Sequence, residues 1–458
     1  MPTQTSGDPA GSEAQSRLAD VGVLLLDAGL SVTDTRGALV RVAAAQSPRA
    51  GLEFIVLPTT VLVGGRQGAA PLVGGRAAAG DFSIVQTAAS LRLLSSLESC
   101  EELIEDVGRR IAQIRKLGRP LAGLRWIAGS ALIGIGLAIL FRCPWWAIAL
   151  SALTGALVGA ISAAMNRVGA ASAIVPFVAT LVSTLTVGCA AAWLGLGPVP
   201  LFAVCAPIAI LIPGATITNA LLELTSADIV TGSARLIAGL VVLGFMTVGI
   251  LAGSALTGLH VDPGSAALIG DVPLPPSASI GWSALPPAWA AWTGVGALAC
   301  GVGVAFGAGP QLAAIGVCAM AATYALLEVL SPQVGSVVAT GIAGATLFVA
   351  SRLLERTRAA VPSAVSFQPA FLLLGPGTVG LVALTTLEPT SLSAAPLAFV
   401  SLCIGTKVGS VIADTDWLPL PRRARSAPSS LDRPDAAPHS VDPHHNHRPA
   451  SNESEPSP

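Results

Sequence analysis

Charge is scarce in this sequence. Only 11% of its 458 residues are Asp, Glu, Lys or Arg, against roughly 25% in an ordinary soluble domain. Hydrophobic residues make up 52%, and the mean hydropathy is +0.72. That balance excludes a chain soluble throughout and fits a membrane protein. The scarcity is also regional: between residues 121 and 421 ionisable groups are few and isolated, so most of the charge lies in the two ends. The net charge of −1 hides this split and points to no charged partner, nucleic acid included.

Histidine is scarcer still. His260 falls in a loop and His439, His444, His445 and His447 in the tail, so no apolar segment carries a His that could act as a general base. There is no G-x-S-x-G elbow, no G-x-G-D element and no H-E-x-x-H pair. An intramembrane hydrolase is therefore disfavoured, and the chain is not expected to be an enzyme. The seven Cys form no C-x-x-C pair and mostly fall in apolar runs, so they read as small core residues rather than disulfides or metal ligands. No cofactor or metal is implied.

Three regions separate along the chain. A disordered leader (1–15) precedes a mixed α/β domain (16–120). In that domain ADVGVLLLDAGLSVTDTRGALVRVAAAQ has helical spacing, GLEFIVLPTTVLVGG reads as strand material, and DFSIVQTAASLRLLSSLESCEELIEDVGRRIAQIRK returns to helix. The polar start lacks the basic-then-apolar pattern of a signal peptide, so the N-terminus is expected to stay in the cytoplasm. Residues 418–458, rich in Pro, Ser, Asp and His, read as a disordered cytoplasmic tail whose HHNH cluster is solvated.

Between these ends lie ten apolar stretches of about 20 residues, the length that spans a bilayer. They fall near 122–141, 145–165, 171–194, 201–222, 235–257, 287–307, 311–330, 334–354, 369–387 and 393–413. Basic residues set the orientation. Arg109, Arg110, Arg115, Arg167, Arg235 and Arg352 fall on the side of the N-terminus, whereas the loop 259–286 holds no Lys or Arg. The expected fold is an all-α polytopic membrane protein of about ten helices, with both termini in the cytoplasm and a small α/β cytoplasmic N-terminal domain.

The halves 121–258 and 287–417 echo one another. Gly134 matches Gly301, Pro144 matches Pro310 and Pro213 matches Pro376, at offsets of 167, 166 and 163 residues. Five spans per copy force the second to enter the membrane inverted, and matched broken helices in an inverted 5+5 repeat point to a transporter site. Pro213-Gly214 and Pro376-Gly377 are such breaks. Each Pro lacks a backbone donor, which is expected to free the carbonyls of Ala209 and Leu372. A packing kink is the plainer alternative. After the first break Thr216, Asn219 and Glu223 share one helix face, and Glu223 is placed either on a water-filled path or at the inner surface. Asp228 and Arg235 are expected at that surface, and Glu328 and Lys407 are expected to snorkel to water.

Pro213-Gly214, Asn219, Glu223, Asp228, Gly232 and Arg235 together resemble the signature of the threonine/serine exporter family. DAGLSVTDTRGALVRVAAAQ with EFIVLPTT resembles that family's amino-terminal region, and LLLGPG its second Pro-Gly segment. The resemblance spans roughly residues 20–415. Two positions depart from it, since the family commonly has Asp at 223 and Gly at 227. It implies proton-driven export of threonine and serine across the plasma membrane. In that reading Pro213, Gly214, Thr216, Asn219, Pro376, Gly377 and Thr378 form the substrate site, Glu223 and Asp228 couple protons, and Arg235 serves as a cytoplasmic gate or anchor. The partners are a small amino acid, protons and the bilayer, with a homo-oligomer left open. Export of another small polar metabolite, or a channel, is the competing function.

Overall fold

The computed structural model describes residues 9–46, 51–65, 73–77, 82–118, 121–262, 268–269, 281–356, 373–374 and 389–414. The chain opens with α1 (Pro9–Asp27) and α2 (Val32–Gln46), followed by strands β1 (Leu52–Leu57), β2 (Thr60–Gly65) and β3 (Val73–Arg76), then α3 (Ile84–Glu98) and α4 (Val107–Arg115). The strands form one antiparallel sheet in the order β1-β2-β3. The helix α1 lies on β2 and β3, and α2 lies on β1. Leu18, Leu24, Leu25, Leu39, Val61 and Leu97 close a core of their own.

Local chemistry explains the helix starts here. Ser31 accepts the backbone N–H of Asp34 at 3.0 Å and donates to its carboxylate at 2.9 Å, which caps α2. Ser83 and Gln86 form a reciprocal capping box at α3. In α4, Val107, Ile111 and Ile114 at spacings of four and three give the buried face.

The elements that follow among the described residues are helices: α5 (Ala122–Leu140), α6 (Trp145–Met165), α7 (Val175–Leu194), the short α8 (Leu201–Cys205), α9 (Gly214–Thr225), α10 (Ile229–Thr257), α11 (Ala290–Ala305), α12 (Pro310–Val334), α13 (Ser336–Arg356) and α14 (Pro389–Asp414). Among the described residues six candidate spans are long and apolar enough to cross a membrane: Ala122–Leu140, Trp145–Met165, Ala171–Leu194, Ile229–Thr257, Pro310–Val334 and Ser336–Leu354. Shorter apolar helices fall at the fourth, sixth and tenth expected stretches. The ninth, 369–387, lies outside the described residues apart from Leu373 and Leu374.

Small residues set how closely these helices pair. The helix α5 packs along α11, α7 along α10, and α13 along α14. A Cβ at Gly136 would sit 2.5 Å from the Leu298 backbone nitrogen, and one at Gly405 would sit 2.0 Å from the Gly341 carbonyl oxygen. Backbones at that separation tolerate no side chain between them, a packing mode suited to lipid, where apolar burial gives little drive for helix association.

The cysteines correct one expectation. Among the described residues all seven are free, and only Cys143 and Cys205 are fully buried. Cys189, Cys300 and Cys318 lie exposed on helical faces, where an apolar side chain suits lipid as well as it would suit a core.

Candidate functional site

The expected fourth span is broken. The helix α8 stops at Cys205, a 3-10 turn covers Ala209–Leu211, Ile212 is extended, and α9 restarts at Gly214 with Pro213 before it. The Ala209 carbonyl is not freed, because the Ile212 N–H donates to it at 3.2 Å. The tighter turn supplies the donor that Pro213 lacks. Leu372, Pro376, Gly377 and Thr378 lie outside the described residues.

The helices α9 and α10 form a hairpin whose turn, Ser226–Asp228, is left-handed at Ala227 (φ +65°). A Cβ at Gly232 would lie 2.7 Å from the Ala220 carbonyl oxygen, so glycine there lets the two helices close up. That approach places the Arg235 Nη1 atom of α10 3.0 Å from the Glu223 Oε1 atom of α9, with side-chain exposures of 16% and 0%. Neither Arg235 nor Asp228, whose side chain is 14% exposed, stands at an open surface. The charge count that set the topology could not register a pair formed across the hairpin.

What covers these groups is the first turn of α2. The Val32 N–H donates to Glu223 Oε1 at 2.9 Å. The Thr33 hydroxyl donates to Asp228 Oδ2 at 2.6 Å, and Arg36 Nη2 donates to Asp228 Oδ1 at 2.8 Å. Asn219 Nδ2 reaches the Gly29 carbonyl at 3.2 Å, and Arg352 of α13 reaches Asp34 at 3.4 Å. A second attachment joins α3 to the α11–α12 turn, where the Ile84 N–H donates to the Phe306 carbonyl at 2.9 Å and Ile84 and Ala88 pack on Phe306, Ala308 and Leu312.

The electrostatics follow from this cover. The positive end of α2 meets the Glu223 carboxylate, which suits an anion. Burial alone would raise the Asp228 carboxyl. Hydrogen bonds from Thr33 and Arg36, with the guanidinium charge, outweigh that and hold it below the usual carboxylate range. Glu223 Oε2 is buried and has no hydrogen-bond partner among the described residues.

Of the residues singled out in the sequence, Asn219, Glu223, Asp228 and Arg235 come together. Thr216 sits nearer the break and is partly buried. Lys407 does not simply snorkel: its Nζ donates to Ser226 at 2.9 Å, tying α14 to the hairpin turn. Glu328 accepts from the Tyr324 hydroxyl at 2.6 Å. Arg352 was read as a basic residue on the side of the N-terminus, not as a partner of Asp34, and Val32, Thr33 and Arg36 were not singled out. Nothing in their types or spacing marks them, and the one signal present was the likeness of DAGLSVTDTRGALVRVAAAQ to a family's amino-terminal region. Among the described residues no group of three or more His, Cys, Asp or Glu is placed to hold a metal.

A family model described as "Putative threonine/serine exporter" (ThrE) matches residues 17–257. The chain belongs to the threonine/serine exporter family. The matched span stops at Thr257, short of the 415 expected, yet it runs from α1 to the end of α10 and so contains α2, α9 and α10. No curated protein and no solved structure shows a significant match. Membership, with the apolar helices, makes this exporter-family chain a membrane protein of a transporter family rather than of an enzyme family. Ala227 now has a structural meaning: it occupies a left-handed position where glycine, the residue expected there from the resemblance, would carry no Cβ penalty.

Proposed function

We propose that the protein is a secondary active exporter carrying threonine and serine out of the cytoplasm across the plasma membrane, driven by inward proton flow. The observation that carries this reading is the buried Glu223–Arg235 pair at the foot of the broken α9, with one carboxylate oxygen left without a partner among the described residues. An ionisable pair held in an apolar bundle marks an ion or substrate path by default. Asp228 stays ionised while Thr33 and Arg36 hold it, so Glu223 is the proton carrier of the docked state. Thr216 and Asn219 offer hydrogen bonds to the substrate, Pro213-Gly214 and Pro376-Gly377 with Thr378 shape its site, and Arg235 holds the Glu223 end of the path.

The ten-span inverted repeat belongs to the same proposal. Its support is that α7 pairs with α10 as α13 pairs with α14, which are the third with the fifth and the eighth with the tenth expected stretches. In this reading both termini and the amino-terminal α/β domain face the cytoplasm.

The test is flux in proteoliposomes against a panel of amino acids with an imposed pH gradient. Threonine and serine should move uphill in the wild-type protein, and Glu223→Gln should abolish the gradient dependence. Uphill flux that survives in Glu223→Gln removes the carrier role, and flux that only ever runs downhill makes the protein a channel.

A further inference from the structure

The start of α2 (residues 32–36) binds α9, the α9–α10 turn and α13 at once through groups that differ in kind. A backbone N–H goes to Glu223, a hydroxyl and a guanidinium go to Asp228, and an acidic side chain receives Arg352. Glu223 meanwhile is half satisfied. Oε1 takes both the Val32 N–H and Arg235, while Oε2, equally buried, takes no donor among the described residues. A buried carboxylate oxygen without a donor is unfavourable, so an occupant bringing an additional N–H donor would be held more tightly than the α2 turn is. A free hydroxy amino acid brings such a donor in its ammonium, together with a hydroxyl on the adjoining carbons. These are the two donor types that Val32 and Thr33 present to Glu223 and Asp228.

We propose that the first turn of α2 is the inner gate of the transport path and a tethered competitor for the substrate. The Val32 N–H and the Thr33 hydroxyl occupy, on Glu223 and Asp228, the places that the ammonium and hydroxyl of threonine or serine take in the open state. The two occupants exclude each other, so substrate entry requires α2 to leave. Asp228 thereby becomes a specificity-determining residue, since it reads the hydroxyl that distinguishes threonine and serine from alanine and valine. A site that hydrogen-bonds a substrate hydroxyl rejects the analogue lacking it, because its own polar group would be left unpaired. The proposal rests on the exporter reading above. Closure also lowers apparent affinity, because substrate binds only the fraction of molecules whose gate is open.

The experiment uses the full chain in nanodiscs. Hydrogen exchange of residues 29–36 is followed with and without L-threonine, and equilibrium binding of threonine, serine, alanine and valine is measured on wild type and Thr33→Val. Threonine should accelerate exchange at residues 29–36, whereas valine should not. Thr33→Val removes one hydroxyl at nearly constant volume and should tighten apparent threonine affinity about tenfold, the scale set by one hydrogen bond to a charged acceptor. Threonine that binds while protecting residues 29–36, or leaving their exchange unchanged, overturns the gate but not the exporter. Unchanged or weaker threonine binding by Thr33→Val overturns the competition. Absence of binding by any of the four amino acids overturns both this inference and the substrate reading beneath it. A wild-type protein that binds valine as well as threonine overturns the role of Asp228 alone.

Discussion

The Glu223–Arg235 pair gives a quantitative test. At 3.0 Å and an effective dielectric of about 20, the gross attraction is about 5–6 kcal/mol. Removing both ions from water costs several kcal/mol each, so the intact pair nets little stability. Breaking it is another matter. Arg235→Met leaves a carboxylate of 0% exposure with the Val32 N–H as its remaining described partner, at the upper end of the roughly 3–5 kcal/mol measured for orphaned buried charges. Glu223→Gln keeps an acceptor for Val32, and Arg235 at 16% exposure still reaches some solvent, so the loss should sit nearer about 3 kcal/mol. Independent effects would sum to about 8 kcal/mol. The double variant buries no ion at all and should lose no more than about 2 kcal/mol. Equilibrium unfolding in mixed detergent micelles, with all three variants and wild type in one buffer, reads these differences directly. Single losses that add to within about 0.5 kcal/mol of the double would show that the two side chains do not interact, and the site as described would be wrong.

Val32→Pro should remove the donor to Glu223 while leaving α2 intact, since proline is accepted at a first helical position. Domain docking, read by hydrogen exchange at residues 29–36, should weaken by about 1.5–3 kcal/mol at unchanged helix content; unaltered docking would show that the Val32 contact contributes nothing. Ala227→Gly relieves a left-handed residue (φ +65°) and should stabilise the protein by about 0.5–1 kcal/mol, measurable in the same unfolding assay; a destabilised variant would contradict the turn geometry. The pH response follows from the lowered Asp228 carboxyl. A depressed pKa contributes stability that is present above the undocked value of 3.8 and lost as pH falls through the docked one. Docking should therefore hold from neutral pH to about pH 5 and loosen only below about pH 4, and a midpoint near pH 6 would assign it to another group.

Part of the site was legible because its physics is local. Proline without a donor beside glycine marked the break at 213–214, and spacings of three and four put Asn219 and Glu223 on one face of α9. Gly232 was visible as resemblance, and Ala227 as a departure from it, before the hairpin explained them. The unread part is long-range. Val32 and Glu223 are 191 residues apart, and Thr33 and Asp228 are 195; no periodicity within either segment encodes the other.

The same distinction explains why a count of basic residues did not register the contact that Arg235 makes. Counting basic residues treats each as a solvated anchor, which holds when no carboxylate is in reach. Here a glycine at 232 brings α10 onto α9, and the resulting 3.0 Å contact makes Arg235 a buried partner instead. A residue's role was thus decided by the absence of a side chain three positions away. The hairpin then presents Glu223 and Asp228 to the start of α2, so the hairpin and the amino-terminal segment are joined directly where they meet. Any change at Gly232 that separates α9 from α10 should therefore be felt at Val32 and Thr33, although neither residue touches it directly.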